Sequence, residues 1–338
     1  MLKLRGGIIG LGRIGAGFDD NVTKSVNTHA GAHHKSKNVE LISLCDIDSK
    51  KLKKYGKKYQ IKNLYTKYTE LLKKEQLDCI SICTHADTHL DIIECAAKNG
   101  IKRIFVEKPI ETSLKNAKKI LSICKKYDIL LSVDHQRRFN PFYHSIKNDL
   151  KKLGKIQLVR LLYGGGITNT GTHIADIIRF FFGEIVSCKS DFGIPNLQNP
   201  NDPNLNAELI LKNNLHVFLH SLNTSHYGLL EMDIIGSLGR LNIDLAVDKC
   251  IYKKISQNSG LVYKKLVTSI FPIKQFSKTS IQLGIENLLT SKNKSELKSS
   301  GIDGYKSLEI ILALMMSSQQ HETITLPLQI NNYKIESK

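Results

Sequence analysis

The chain has 338 residues, 41% hydrophobic and 24% charged, with a formal net charge of +18. That length exceeds one ordinary core and calls for two domains. No apolar run approaches the ~18 residues a membrane-spanning helix needs, and no signal-peptide pattern precedes the first apolar run, so the sequence reads as a cytoplasmic protein without membrane contact.

The positive charge comes as Lys-Lys pairs scattered from 50–51 to 264–265, mostly on polar faces of expected helices. With no arginine tract or aromatic-basic stripe, a solvated lysine-rich surface accounts for it, and nucleic acid is not an expected partner. Seven scattered cysteines without C-x-x-C spacing read as reduced, buried thiols.

In chain order, Leu4–Ile9 reads as a strand running into Gly10-Leu11-Gly12-Arg13-Ile14-Gly15. Residues 17–27 read as an inserted loop and Thr28–Lys35 as a short helix. Val39–Cys45 is a second strand, followed by Asp46. Lys50–Tyr59 is a lysine-rich helix and Cys79–Cys83 a strand. His89–Asn99 is a helix stopped by Gly100. Lys102–Val106, Leu114–Tyr127 and Ile129–Val133 read as strand, helix and strand. This alternation calls for a parallel sheet with right-handed crossovers, a doubly wound dinucleotide fold, over residues 1–135.

The pattern changes after Arg138. Lys155–Tyr163 is strand-like, Gly164–Gly166 a turn, and Thr172–Phe182 a helix ending at Gly183. Ala207–Leu211, His216–Leu222, Leu229–Ile235 and Leu241–Leu245 read as further strands. Residues 193–206, rich in Asn and Pro, read as an exposed loop, and 253–300 take no clear assignment. Tyr305–Ser318 is an apolar helix that belongs to the second domain or packs back on the first. The expected class is α/β: an N-terminal doubly wound Rossmann domain, then an α+β domain over 136–338 with an open, largely antiparallel or mixed sheet.

The glycine pattern has a physical reason. The first glycine permits a tight turn, the second lets backbone approach a pyrophosphate, and the third lets helix pack on strand. A carboxylate at Asp46 accepts from both ribose hydroxyls and repels a 2′-phosphate, which favours NAD over NADP. The 31 residues from Gly15 to Asp46 exceed the usual ~20, and residues 17–27 hold the excess. Lys108, between Glu107 and Pro109, lies where an open sheet binds ligands and offers positive charge to a reacting oxygen. His29, His33 and His34 are closely spaced, but no carboxylate pattern accompanies them. They read as surface histidines, and no metal is expected.

Taken together, these segments resemble the glucose–fructose oxidoreductase and inositol dehydrogenase (Gfo/Idh/MocA) family over nearly the whole chain. The carriers are Gly10–Gly15, Asp46, Thr84-His85-Ala86-Asp87-Thr88-His89, Glu107-Lys108-Pro109, Gln136-Arg137-Arg138-Phe139-Asn140-Pro141 and the helix from Gly171 through His173. The resemblance implies hydride transfer between NAD and a ring hydroxyl or ketone of a sugar or nucleotide sugar bound between the domains. It implies that Lys108 polarises the oxygen and His173 is the acid/base. Asn169 stands where many members carry an aspartate; an amide can orient the imidazole or bind a hydroxyl but cannot take a proton. Gly10, Gly12, Arg13, Ile14, Gly15, Asp46, Thr84, His85, His89 and Glu107 are then cofactor residues. Arg137, Arg138 and Tyr163 join Lys108, Asn169 and His173 around the substrate, and the assembly is a homodimer or homotetramer. An NAD-using glycoside hydrolase or lyase, and a non-catalytic NAD or metabolite sensor, fit the same residues.

Overall fold

The computed structural model describes residues 3–21, 25–256, 264–274, 277–329 and 332–336. The chain divides into two compact units, Met1–Asn140 with Ser277–Leu308 and Ile330–Lys338, and Pro141–Phe276 with Glu309–Gln329.

The first unit is built on β1 (Leu4–Ile9), β2 (Val39–Cys45), β3 (Asn63–Tyr65), β4 (Cys79–Ile82), β5 (Arg103–Val106) and β6 (Leu130–Val133). These form one parallel sheet in the order β3-β2-β1-β4-β5-β6. β4 and β6 are buried along their whole length, as a sheet covered on both faces requires. The crossovers are α1 (His29–Lys35), α2 (Ser49–Tyr59), α3 (Tyr68–Lys74), α4 (His89–Lys98) and α5 (Leu114–Lys126). Their starts are written locally: the Asp48 carboxylate accepts from Lys50 N at 2.8 Å and the Ser113 hydroxyl from Asn116 N at 3.3 Å. The strand order reverses between β1 and β4, so the crevice at their carboxyl ends is where a doubly wound sheet takes its ligand.

The second unit opens with α6 (Pro141–Asp149), β7 (Ile156–Tyr163), α7 (Thr170–Phe182) and β8 (Ile185–Phe192). It continues through β9 (Leu205–Leu211), β10 (His216–Ser221), β11 (Glu231–Gly236), β12 (Gly239–Asp244), β13 (Lys249–Ile255) and β14 (Leu266–Ser269). With β15 (Ile324–Thr325), the strands form a nine-stranded mixed sheet, order β14-β13-β12-β11-β7-β10-β9-β8-β15. Among the described residues, only the β7–β10 pair of this sheet is parallel.

The division differs from a single cut near residue 135. The chain returns to the first unit through α8 (Ser280–Thr290) and the start of α9 (Gly301–Gln320). The reason is apolar: Ile281, Ile285, Leu288 and Leu289 of α8 are buried in one core cluster with Phe105 and Phe139. Residues 253–300 thus contain an ordered helix as well as the segment 257–263, which lies outside the described residues. No helix among the described residues is long and apolar enough to cross a membrane. The seven cysteines are free thiols, and burial pushes those of Cys45, Cys79, Cys124 and Cys188 up to about 12.

Candidate dinucleotide site and its flanking residues

β1 delivers the glycine pattern to the crevice. Gly10 has φ +92°, and a Cβ there would lie 2.8 Å from the Cys83 carbonyl. A Cβ on Gly15 would lie 2.1 Å from Gly10 O, whereas one on Gly12 would meet nothing within 4 Å. The open face at Gly12 is the room a pyrophosphate needs. One helical turn follows, with Ala16 N and Gly17 N donating to Gly12 O and Phe18 N to Arg13 O. Arg13 is exposed, with its guanidinium 5.0 Å from the Phe18 ring centre.

The helix is then interrupted. In a continuous helix Ile14 O and Gly15 O would accept from residues 18 and 19. Here they accept from His29 N at 3.1 Å and Ala30 N at 2.9 Å. The excess between fingerprint and acid is therefore a loop spliced into one helical ladder. Asp19, which is buried, accepts from Asn27 N at 2.7 Å and from the Thr28 hydroxyl. Asp20 accepts from Lys54 at 2.6 Å, Tyr55 at 2.9 Å and Lys58 at 3.3 Å, all on α2. Residues 22–24 of the loop lie outside the described residues.

Asp46 ends β2 facing the fingerprint. One of its oxygens accepts from Leu11 N at 2.6 Å and the other from Asp48 N at 2.8 Å. Each carboxylate oxygen has a second lone pair for a ribose hydroxyl. A pocket of about 330 Å³ brings Asp46 together with Gly10, Gly12, Thr84 and His85. It adds Lys51, Thr66 and Tyr68, which the sequence reading missed. Thr66 and Tyr68 flank the end of β3, a strand too short to show a period.

His89 is not part of that pocket lining. Its ring is wholly buried, with Nδ1 3.1 Å from Ile110 O and Nε2 3.1 Å from Thr84 O. It therefore ties the loop after β4 to the segment after Lys108 instead of presenting an edge to the cofactor. Burial draws its pKa down, and a neutral ring donates through one nitrogen only.

Glu107-Lys108-Pro109 follows β5 at the carboxyl edge of the sheet, with Glu107 buried and Lys108 half-buried. Glu107 Oε2 accepts from Lys108 N at 3.3 Å, and Glu107 Oε1 is 2.9 Å from His29 Nε2. The expectation of surface histidines fails here. His29 and His33 are both buried, and burial draws their pKa values down to about 4 and about 3. His33 Nε2 sits 3.0 Å from the Ser81 hydroxyl, and only His34 is exposed. The reason is their i,i+4 spacing, which puts His29 and His33 on the covered face of α1. Carboxylates are near as well: His29, Glu107 and Asp134 bring one nitrogen and two oxygen atoms within 4.8 Å of one another. Arg138 is buried with Nη1 3.0 Å from Asp303 Oδ1, a structural pairing inside this unit, while Arg137 is half-buried.

In the second unit, His173 is half-buried on α7, whose neighbouring residues Ile174, Ala175, Ile177 and Ile178 are core. Asn169 is exposed at the helix start and makes no side-chain cap; its amide reaches Gly165 O at 3.4 Å. The cap comes from afar. Asp202, 2% exposed, accepts from Thr168 N at 2.7 Å and Asn169 N at 3.1 Å. Asn204 accepts from Gly166 N at 2.9 Å. The loop 193–206, expected to be exposed, thus contributes buried Asn196, Asp202 and Asn204, because their side chains satisfy backbone that would otherwise be stranded. Gly166 has φ +90°, and a Cβ there would lie 2.1 Å from Asp202. Tyr163 is wholly buried; its hydroxyl donates to Leu205 O and accepts from Leu205 N, both at 2.8 Å. It braces the turn from within the core.

Residues 4–135 match the Gfo/Idh/MocA family model, an oxidoreductase family with an NAD-binding Rossmann fold. Over that stretch the chain is similar to the Gfo/Idh/MocA family. Among its relatives, D-apiose dehydrogenase from Paraburkholderia graminis is 27% identical over 191 residues, 51% of this chain and 49% of that protein. Myo-inositol 2-dehydrogenase from Thermotoga maritima is 25% identical over 199 residues, 54% of this chain and 56% of that protein. The chain thus spans about half the length of these relatives. The WlbA dehydrogenase from Bordetella pertussis, solved with NADH and UDP-GlcNAcA, shares the fold over 97% of this chain and 100% of its own, with a TM-score of 0.77 at 17% identity.

Proposed function

We propose that this protein is an NAD-dependent oxidoreductase acting on a ring hydroxyl, or the corresponding ketone, of a sugar or nucleotide sugar. The observation that carries the reading is one crevice edge holding both the open Gly12 face with Asp46 and, two strands along from β1, Lys108 after β5. NAD, when bound, exchanges the hydride. Lys108 supplies the positive charge that holds an oxygen as it gains alkoxide character. His173 takes or returns the hydroxyl proton, and Asn169 orients the imidazole or a substrate hydroxyl. Asp46 selects the unphosphorylated ribose. The substrate class is supported by the D-apiose and myo-inositol dehydrogenases among the relatives, and the nucleotide-sugar member of that class by the ligand of the WlbA structure.

Lys108→Ala should lower kcat by about 10³-fold while NAD binding, read by calorimetry, stays within a few-fold; a rate near wild type removes the assigned role. Asp46→Ala should narrow the preference for NAD over NADP, and unchanged discrimination counts against it. A screen of free cyclic sugars, inositols and nucleotide sugars, followed by NADH absorbance, separates the substrate classes.

A further inference from the structure

The carboxyl edge of the parallel sheet holds a buried charge cluster that the reaction above leaves without a role. Glu107 follows β5, Asp134 follows β6 and His29 opens α1, with exposures of 9%, 1% and 0%. His29 Nε2 lies 2.9 Å from Glu107 Oε1 and 3.7 Å from Asp134 Oδ2, while its Nδ1 has no hydrogen-bond partner. The tautomer that fits carries its hydrogen on Nε2 and donates to Glu107; the bare Nδ1 then strands no donor. That ring is neutral, in keeping with its complete burial.

Glu107 and Asp134 each bring a carboxylate oxygen within 4.8 Å of the other and of a His29 ring nitrogen, and Asp134 Oδ1 is buried with no hydrogen-bond partner. Two ionised carboxylates this close in a dry site repel each other and offer only acceptors, so one of them carries a hydrogen. Burial raises both groups, Asp134 the further, and the Lys108 charge favours ionised Glu107. Asp134 is therefore the acid of the pair.

We propose that Asp134 is a positioning residue for Lys108: it keeps its proton at neutral pH, donates it in a hydrogen bond to Glu107, and leaves Glu107 as the single anion behind the lysine. Glu107 then gathers three donors, the Nε2–H of His29, the acid O–H of Asp134 and the backbone N–H of Lys108. A fixed carboxylate balances one ammonium; a second negative charge would overbalance it and repel the first. The other groups facing the pair are Cys83, whose thiol is held neutral by burial and by the Glu107 charge, and the Gln136 amide, which donates to Asp134 Oδ2 at 3.3 Å. Loss of the shared proton is thus an ionisation of the pair, and it weakens the arrangement at alkaline pH.

The proposal rests on the role given to Lys108 above, but its first test does not. Infrared difference spectra of the whole protein at neutral pH should show the C=O stretch of a protonated carboxylic acid. That band should fade on alkaline titration and be missing from Asp134→Asn. Its absence from the wild type overturns the proposal, whatever the enzyme's substrate. In the pH profile of kcat/KM, Asp134→Asn retains a donor to Glu107 but cannot ionise, so the alkaline step should disappear; superimposable profiles overturn the positioning role. Zinc added to the protein and then dialysed should leave no stoichiometric metal. Retention of one equivalent, lost in His29→Ala, would make the three groups cation ligands and sink the shared proton.

Discussion

Two helix starts, α1 and α7, are held by aspartates that lie outside the helix, and they differ in how far away that aspartate is and in how much else supports them. α1 has its own cap: the Thr28 hydroxyl accepts from Gly31 N at 3.1 Å, and Asp19 in turn holds Thr28 and Asn27 from within the same loop. α7 has none, because Asn169 makes no cap and Asp202, about 33 positions away, takes both free amides. The helix bearing the buried histidines is thus fastened locally, and the helix bearing His173 depends on a distant loop. A long-range fastening is lost whenever that loop moves, so the two starts should fail under different conditions.

The largest difference should appear in acid. His29 and His33, with native values of about 4 and about 3 against 6.5 unfolded, are buried neutral in α1. The unfolded chain binds their protons first. Their contribution is fully present above pH 6.5 and is lost as pH falls toward 4 for His29 and toward 3 for His33. Inside its window each adds a slope of about 1.4 kcal/mol per pH unit. Calorimetric scans from pH 7 to 4 should show the first unit losing stability more steeply than the second; a flat profile would deny the buried neutral rings. Next comes Asp202→Ala, which takes the acceptor from the buried Thr168 N and the part-buried Asn169 N and should cost about 3 kcal/mol in urea unfolding and lower turnover through His173. Asp19→Ala should cost about 1–2 kcal/mol, since Thr28 still caps α1. Equal losses would erase the distinction between local and distant fastening. Smallest is Thr28→Ala, about 1 kcal/mol, read as a shift in the urea midpoint.

Much of the first unit was legible because several of its strands are apolar runs and its crossover helices α1 to α5 carry lysine in their last turn. β2 runs over Val39–Cys45 as read from the sequence, and α5 ends one residue earlier than expected. β3 was lost because three residues show no period. α8 could have been found: Thr279 and Gln282 form a capping box ahead of Ile281, Ile285, Leu288 and Leu289. The lysines and serines around it hid that spacing. In the candidate site, the fingerprint, Asp46 and Lys108 were visible because their chemistry is local to strand ends. Asp134 was not, although it follows β6 as Glu107 follows β5; nothing in the sequence says that adjacent strand ends put two acids in contact. Asp202 and the two buried histidines escaped for the same reason: polar residue types suggest solvent, and only the fold shows what they satisfy.

The splice after Gly15 has a further consequence. Its two ends meet within one hydrogen-bond ladder, so the stretch between the anchors at Asp20 and Asn27 can change in length while the ladder stays closed. The glycine turn and the imidazole at the far end then keep their registration, which makes this joint a natural place for such a scaffold to acquire new material.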